Sequence, residues 1–280
     1  MWTWDHFVPL DGDPKGPMFE AWELLAAWGA LTTHVRLGTL VTGNTYRHPP
    51  VLAKMVATLD HITNGRAILG LGAAWHAEEH AMYGLRFPSV GGRLARMDEA
   101  ARVLRLLLDE PVASFTGKHY VLKDAVAEPK PVQKRLPILI GGGGEQKTLR
   151  TVAKYADYWH TTATPDVVKH KLEVLARHCA EVGRDVSEIT PLTSVRPDIV
   201  LRDNASGVAA QLERVRARSG RAEPLAMNPI HTVDALVERC AELWRAGTRG
   251  FILYFMAPFD HETIERIATE VRPKLEEAIA

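Results

Sequence analysis

The sequence of 280 residues has few cysteines, no net charge and no long apolar run. Its two cysteines, Cys179 and Cys240, fall on the apolar sides of predicted helices and match no metal-ligand spacing, so we interpret them as buried thiols in a reducing cytosol. The 34 basic and 34 acidic side chains balance, so nothing in the net charge attracts nucleic acid or an acidic membrane surface. No stretch approaches the roughly 18 apolar residues of a membrane span. We therefore expect a cytoplasmic protein whose partner is a small molecule, not nucleic acid or a membrane.

The sequence also lacks the histidine pattern of a metal-dependent barrel enzyme. Such an enzyme carries several His and Asp ligands on separate strand ends, commonly with a His-x-His pair. None of the 12 histidines forms such a pair. We therefore expect no metal site and disfavour a zinc hydrolase.

The apolar pattern that is present alternates short strands with amphipathic helices along the chain. In residues 35–75, an apolar strand is followed by a helix that opens at Pro49 and Pro50, and then by a second strand that ends in glycines. Such units form parallel sheets with right-handed crossovers. The strands that can be counted in this way are 2–4, 35–41, 67–71, 136–140, 157–160, one within 189–200, and 251–255.

This alternation predicts a single α/β domain over residues 1–280, and the insertions after strand ends favour a (β/α)8 TIM-type barrel over an open sheet. A hairpin insertion is predicted at about 112–135, because residues 114–122 read as two short strands around Thr116, Gly117 and Lys118. Because only seven barrel strands can be counted, the first strand and helix are expected to be missing from this chain.

Polar residues gather where the predicted strands end, at 5–6, 42–48, 72–79 and 141–148. In a barrel these ends share one mouth, where barrel enzymes perform their chemistry. Asp5 and His6 join a carboxylate to an imidazole, and a carboxylate can set imidazole protonation near neutral pH for acid or base work. A lone pair of this kind is more often structural.

Four glycines follow the strand at 136–140 and lead into a helix predicted over 145–155. Backbone N–H groups and the helix dipole converge at such a point and bind phosphate. A flexible turn is the alternative, but four consecutive glycines cost conformational entropy that a plain turn does not require. The residues of the predicted phosphate site are Gly141, Gly142, Gly143, Gly144, Glu145, Lys147 and Thr148.

Gly70 and Gly72 supply only two of the three glycines of a dinucleotide fingerprint, and no acidic residue follows at the expected distance. We predict instead that the backbone at Gly72 approaches a flat ligand closely, with Trp75 either as a wall of that site or as a core residue.

Seven segments carry a family resemblance that covers nearly the whole chain: 4–7, 37–42, 46–49, 59–66, 69–72, 140–142 and 155–157. Together they resemble the luciferase-like monooxygenase superfamily, in particular its F420-dependent oxidoreductases from actinobacteria. The resemblance implies a barrel that holds coenzyme F420 at its mouth and passes a hydride to or from C5 of the deazaflavin ring. It also implies a strand and helix before the segment at 4–7, so we expect that this chain is N-terminally short or that its barrel is open. Members of the family are often homodimers, and the oligomeric state of this chain stays open.

The resemblance assigns roles to individual residues. It places Asp5 and His6 beside the ring as catalytic residues, and a bulge behind the ring at Leu40 and Val41, often with a non-proline cis peptide. It assigns the phosphate to the glycine-rich segment and to Arg93. The cofactor-binding residues outside that segment are Leu40, Val41, Thr42, Gly72, Trp75 and Arg93.

Aromatic side chains around the predicted mouth favour a hydrophobic or planar substrate, with a pocket formed by Trp4, Tyr46 and Tyr83. Relatives that oxidise sugar phosphates carry a catalytic glutamate at the position of Trp75, which argues against that substrate class. Two alternatives stay open at this point. An FMN-dependent monooxygenase is one, because FMN and F420 share a tricyclic ring and a ribityl phosphate; a non-catalytic flavin- or deazaflavin-binding protein is the other.

Overall fold

The computed structural model describes residues 1–10, 13–196, 198–219, 229–255 and 259–280. These residues form two compact units. The first comprises Met1–Val8, Pro17–Trp159 and Val174–Ile189, and the second comprises Pro9–Gly16, His160–Glu173 and Thr190–Ala280. The interpretation of residues 1–280 as a single domain stays a prediction.

Strands and helices alternate along the chain as the sequence predicts. The strands are β1 Trp2–Thr3, β2 Leu37–Thr39, β3 Thr42–Gly43, β4 Ala67–Gly72, β5 Ala113–Thr116, β6 Val121–Ala125, β7 Ile138–Gly141, β8 Tyr158–Thr161, β9 Thr190–Ser194 and β10 Gly250–Ile252. The helices are α1 Ala21–Leu31, α2 Pro49–Ile62, α3 Ala77–Met82, α4 Val90–Asp109, α5 Thr148–Tyr155, α6 Pro165–Glu181, α7 Ala205–Ser219, α8 Val233–Arg245, α9 His261–Arg266 and α10 Arg272–Ile279. No helix among the described residues is long and apolar enough to cross a lipid bilayer.

In the first unit the sheet is built from parallel pairs. Trp2 of β1 lies opposite Gly38 of β2, and Leu37 of β2 lies opposite Ala67 of β4. Both β3 and β7 also pair with β4, in parallel. Since β2 and β3 pair with the same neighbour, they are two halves of one strand that is interrupted at Leu40 and Val41. The strands β5 and β6 form a separate antiparallel hairpin, as predicted for 112–135.

The helix α2 shows how local sequence sets an element of this fold. Pro49 and Pro50 occupy its first turn, where a missing N–H leaves no intrahelical bond unmade. Its stripe of Leu52, Val56 and Leu59 is buried, and the chain leaves the helix through Asn64 and Gly65 with φ of 51° and 83°. This places the start of β4 immediately after the turn.

Burial in each unit is dominated by aliphatic side chains. In the first unit the fully buried residues include Leu37, Leu69, Leu71, Met97, Leu104 and Ile138. In the second unit β9 and β10 are parallel neighbours, and its buried cluster includes Val168, Val195, Leu201, Leu236 and Leu243. In the first unit α1 contacts β2, α2 and α4 contact β4, and α5 contacts β7, as expected for helices packed on a parallel sheet.

Two helix boundaries differ from the sequence-based expectation. The sequence predicts that Gly29 ends the first helix, but α1 continues to Leu31. A Cβ atom on Gly29 would lie 2.7 Å from Cγ2 of Thr63, so this glycine permits a close helix contact instead of a stop. The helix predicted over 145–155 begins later, at Thr148, because residues 145–147 form a turn.

Candidate active site

Three strand ends of the first unit bring the candidate catalytic side chains together. Asp5 and His6 follow β1, Tyr46 and Arg47 follow β3, and Glu79 lies in α3 after β4. The strands are parallel, so their carboxyl ends lie on one edge of the sheet.

Asp5 is 1% exposed, and its carboxylate is held by one arginine. The Nη1 and Nη2 atoms of Arg47 donate hydrogen bonds of 2.6 and 3.0 Å to the two carboxylate oxygens, and Arg47 also donates to Glu20. Burial raises the pKa of Asp5, and the Arg47 guanidinium opposes that rise. The fork of the guanidinium therefore fixes the carboxylate in one orientation.

The carboxylate that contacts His6 is Glu79, 73 residues away in sequence. The Nδ1 atom of His6 lies 3.0 Å from Oε2 of Glu79, and Glu79 is completely buried. The sequence suggests Asp5 as the carboxylate that sets this imidazole, whereas the structure pairs Asp5 with Arg47. Nothing in the described structure connects the adjacent Asp5 and His6 side chains by a hydrogen bond.

Glu79 also receives hydrogen bonds from groups other than His6. The backbone N–H groups of Phe7 and Val8 donate to its Oε1 atom over 2.5 and 3.2 Å, and the hydroxyl of Tyr46 donates to Oε2. Burial alone would raise the pKa of Glu79, but the hydrogen bonds from Tyr46, Phe7 and His6 outweigh it and hold that pKa below its ordinary value. Burial and the Glu79 carboxylate raise the pKa of Tyr46.

Sequence reasoning missed Glu79 and the short helix that carries it. The segment from residue 76 to 92 reads as a polar loop, because the six residues of α3 are too few to show a helical period. His76 caps this helix by accepting a hydrogen bond of 3.0 Å from the Glu79 N–H. The available signal was a pair of adjacent acidic residues just after a strand end, and the structure buries Glu79 while leaving Glu78 exposed.

Aromatic rings surround His6. The ring centroids of Trp75, His76 and Tyr46 lie 5.6, 6.0 and 6.5 Å from that of His6, and Trp75 is 63% exposed. Trp75 is therefore not a core residue, and its role as a wall of a ligand site stays a prediction. Of the predicted substrate residues, Tyr46 and Tyr83 have ring centroids 4.9 and 5.0 Å from that of Phe7. The third, Trp4, is partly exposed and precedes Asp5 in the sequence.

The peptide bond between Leu40 and Val41 is cis, as the resemblance implies. The Val41 side chain lies against two glycines, because a Cβ on Gly72 would approach its Cγ2 to 2.5 Å and one on Gly141 would approach its Cγ1 to 3.1 Å. The group that closely approaches the backbone of Gly72 in this structure is therefore the side chain of Val41. Thr42 is fully buried, and its hydroxyl donates to Thr39 and accepts from Trp22.

Arg93, predicted to bind phosphate, lies in the first turn of α4. Its Nε and Nη1 atoms donate to the carbonyls of Ala74 and Pro88 over 3.3 and 2.5 Å, and its guanidinium lies 3.9 Å from the ring centroid of Phe87. The ammonium of Lys147 reaches the same turn, since a Cβ on Gly91 would lie 3.7 Å from its Nζ atom. The glycine-rich segment and the start of α4 therefore converge.

The glycine-rich segment itself is anchored by aromatic and imidazole donors. Gly142 has a φ of 124°, a conformation that favours glycine, and its carbonyl accepts a hydrogen bond of 2.8 Å from the indole of Trp159. The carbonyl of Glu145 lies 2.8 Å from Nε2 of His178. Thr148 is buried at the start of α5, and a Cβ on Gly144 would lie 2.9 Å from its hydroxyl oxygen.

Comparison with known proteins identifies the family. A family model described as luciferase-like monooxygenase matches residues 1–232. The chain belongs to the luciferase-like monooxygenase family. It is 33% identical over 201 residues to an F420-dependent glucose-6-phosphate dehydrogenase of Kineococcus radiotolerans, covering 66% of this chain and 57% of that protein. It is 31% identical over 203 residues to a phthiodiolone/phenolphthiodiolone dimycocerosates ketoreductase of Mycobacterium bovis, covering 70% and 51%. The chain thus spans little more than half the length of these two relatives.

Two solved structures share the fold of this chain. An F420-dependent secondary alcohol dehydrogenase in complex with an F420-acetone adduct gives a TM-score of 0.81 at 22% identity, over 98% of this chain and 89% of that chain. A riboflavin lyase with modified FMN and riboflavin gives 0.79 at 14% identity, over 99% and 80%. This likeness confirms the TIM-type α/β barrel class that the sequence predicts.

Proposed function

We propose that this chain is an F420-dependent oxidoreductase of the luciferase-like family, which transfers a hydride between C5 of the deazaflavin and a small, hydrophobic organic substrate. The observation that carries the proposal is the cluster of His6, Glu79 and Tyr46 beside the exposed indole of Trp75. Relatives with 33% and 35% identity that are named F420-dependent support this choice of cofactor.

The charges near the glycine-rich segment fit a phosphate group. The first turn of α4 carries the partial positive charge of a helix N-terminus, and Lys147 places an ammonium beside that turn. Neighbouring positive groups of this kind are stabilised by an anion. We therefore assign the F420 phosphate to residues 141–148, with Arg93 at the same helix start.

The proposed binding surface for the deazaflavin ring lies at the start of β3 and at the end of β4. Its residues are Leu40, Val41, Thr42, Gly72 and Trp75. Val41 and Trp75 are the members with partly or largely exposed side chains, and apolar surfaces of this kind suit a flat ring. Thr42 contributes through its backbone, because its hydroxyl already has two protein partners.

When bound, the deazaflavin supplies hydride transfer at C5. The chain supplies the proton that must accompany the hydride, because a carbonyl that gains a hydride takes up a proton and an alcohol that loses one releases it. His6 holds that proton at its imidazole. Tyr46, Trp75 and Tyr83 exclude water from the reacting atoms.

The substrate class follows from the side chains around His6. Trp4, Tyr46 and Tyr83 present aromatic surface, which favours a hydrophobic ketone, aldehyde or alcohol over a sugar phosphate. The indole of Trp75 supports the same choice, because it stands where the resemblance places the glutamate of sugar-phosphate oxidation.

Two measurements test the proposal. The first titrates the purified protein with F420 and with FMN, following tryptophan fluorescence, and we expect F420 to bind more tightly. The second measures deazaflavin absorbance during turnover of small ketones, aldehydes and alcohols. His6→Ala should keep cofactor binding and lower turnover about 100-fold or more, because general acid–base catalysis contributes that much. His34→Ala, on an exposed loop, is the matched control, and unchanged turnover in His6→Ala would contradict the assignment.

The second candidate function is an FMN-dependent monooxygenase, which the family description itself favours. Tighter binding of FMN than of F420, with oxygen-dependent turnover, would replace the first proposal by this one. A non-catalytic deazaflavin-binding protein would instead bind F420 and give no substrate-dependent change in its absorbance.

A further inference from the structure

The contacts of Glu79 determine where the proton of the neutral His6 imidazole resides. A carboxylate oxygen accepts hydrogen bonds, whereas backbone N–H groups and a phenol that points at a carboxylate donate them. Phe7, Val8 and Tyr46 supply three such donors to Glu79. Burial opposes ionisation of Glu79, but the hydrogen bonds from Tyr46 and Phe7 outweigh it and hold the pKa of this carboxyl below its ordinary value, so the buried carboxylate is ionised at neutral pH.

An ionised carboxylate can only accept from His6. The 3.0 Å contact between Nδ1 of His6 and Oε2 of Glu79 is therefore an Nδ1–H donor bond. In a neutral imidazole one nitrogen carries the hydrogen and the other carries a lone pair. With Nδ1 occupied in this way, Nε2 has the lone pair.

The other ionisable groups near His6 do not compete for Nδ1. The Asp5 carboxylate is held by two hydrogen bonds from Arg47. The Nδ1 atom of His76, whose ring lies 6.0 Å away, accepts from the Glu79 N–H. The Tyr46 hydroxyl donates to Glu79.

We propose that Glu79 is a positioning residue that keeps the hydrogen of His6 on Nδ1, so that Nε2 is the atom that exchanges a proton with the substrate. The tautomer follows from the geometry of the first unit alone, while its use in catalysis rests on the proposed function. In the direction of alcohol oxidation Nε2 takes up the hydroxyl proton as the carbinol carbon loses its hydride. In the direction of carbonyl reduction the imidazolium returns that proton to the oxygen.

A glutamine at position 79 should reverse the tautomer. Its Oε1 atom can still accept from the N–H groups of Phe7 and Val8, so the local backbone keeps its bonds. Its NH2 group then faces Nδ1 of His6 and the Tyr46 hydroxyl, and an amide hydrogen requires an acceptor there. Nδ1 must give up its hydrogen, which moves to Nε2 and blocks the lone pair.

The test is nitrogen NMR of the full chain labelled with 15N-histidine, recorded on the neutral form of the imidazole. The His6 signals are assigned by their loss in His6→Gln. We expect a protonated Nδ1 and an unprotonated Nε2 in the wild type, the opposite pattern in Glu79→Gln, and an unchanged pattern in the controls. The controls are Tyr46→Phe, which keeps the ring and removes one donor to Glu79, and Glu78→Gln, which alters the exposed neighbour.

A protonated Nε2 in the wild type would overturn the proposal. The wild-type spectrum therefore tests the tautomer even if Glu79→Gln fails to fold. An unchanged tautomer in folded Glu79→Gln would overturn it as well. In turnover assays Glu79→Gln should lower kcat about 100-fold or more with unchanged F420 affinity, as expected when a general acid–base group has the wrong tautomer. Absence of F420-dependent turnover in the wild type would instead contradict the proposed function and leave the tautomer result standing.

Discussion

Asp5 and His6 are adjacent in sequence and have different partners. Asp5 meets Arg47, while His6 meets Glu79. A single dipeptide thus places one carboxylate in a buried ion pair and one imidazole in a second hydrogen-bonded pair. The two pairs can be separated by mutation.

Loss of Arg47 should destabilise the protein strongly. Arg47→Met keeps a side chain of similar length but leaves the Asp5 carboxylate buried without its cation. An uncompensated buried charge of this kind costs about 3–5 kcal/mol. We expect a decrease of about 3 kcal/mol in the free energy of unfolding, measured by urea denaturation at neutral pH. Arg86→Met, at an exposed arginine, is the matched control; an equal effect in both variants would contradict the buried-pair interpretation.

The destabilisation in Arg47→Met should shrink as the pH is lowered. Burial raises the pKa of Asp5, and the variant lacks the guanidinium that opposes this rise. The folded variant therefore binds a proton more readily than the unfolded chain. The decrease in the free energy of unfolding of Arg47→Met is therefore complete above the raised pKa of Asp5. It is lost as the pH falls through that pKa. Urea denaturation from neutral to mildly acidic pH checks the sign, and a penalty that grows on acidification would refute it.

At the scale of secondary structure, Val41 couples three strands. It lies between β2 and β3, and its side chain contacts the backbone of Gly72 at the end of β4 and of Gly141 at the end of β7. The absence of side chains at the two glycines is what lets these strand ends close around Val41. Val41 is also proposed to contact the cofactor ring, so this one side chain would serve both the packing of the strands and the binding of the cofactor.

Gly72→Ala should lower stability by about 1–3 kcal/mol, the usual effect of overpacking. The added methyl would stand 2.5 Å from Cγ2 of Val41, which is too close without movement of the strands. Val41→Ala in the same chain removes the obstructing atom and should recover most of the loss. Urea denaturation of the two single variants and the double variant measures this coupling, and strictly additive effects would show that Val41 is not the obstacle.

At the scale of the whole molecule, cofactor binding should stabilise the folded chain. At a free F420 concentration about 100 times its Kd, the free energy of unfolding should rise by about 2.7 kcal/mol. Hydrogen exchange should slow in the proposed binding segments 40–48, 72–79, 88–93 and 141–148. Segments 32–36 and 63–66, which precede β2 and β4 at the opposite strand ends, serve as internal controls. Protection confined to the controls would contradict the site.

Much of the fold follows from local pattern. The parallel alternation and the helix opening at Pro49 are both present as the sequence predicts. Local pattern does not decide the role of Gly29, because a glycine can either end a helix or allow a second helix to pack closely against it. Only the position of Thr63 across the helix contact distinguishes the two roles.

The sequence by itself determined the order of strands and helices, the strand ends where polar residues collect, and the family. It also placed Asp5, His6 and Tyr46 at those ends. Only the tertiary structure decided which carboxylate serves which partner: Arg47 reaches Asp5 across 42 positions, and Glu79 reaches His6 across 73. The reason is physical. Spacing along the chain records which face of a helix or strand is apolar, whereas a hydrogen bond between separate strand ends depends on how those strands pair.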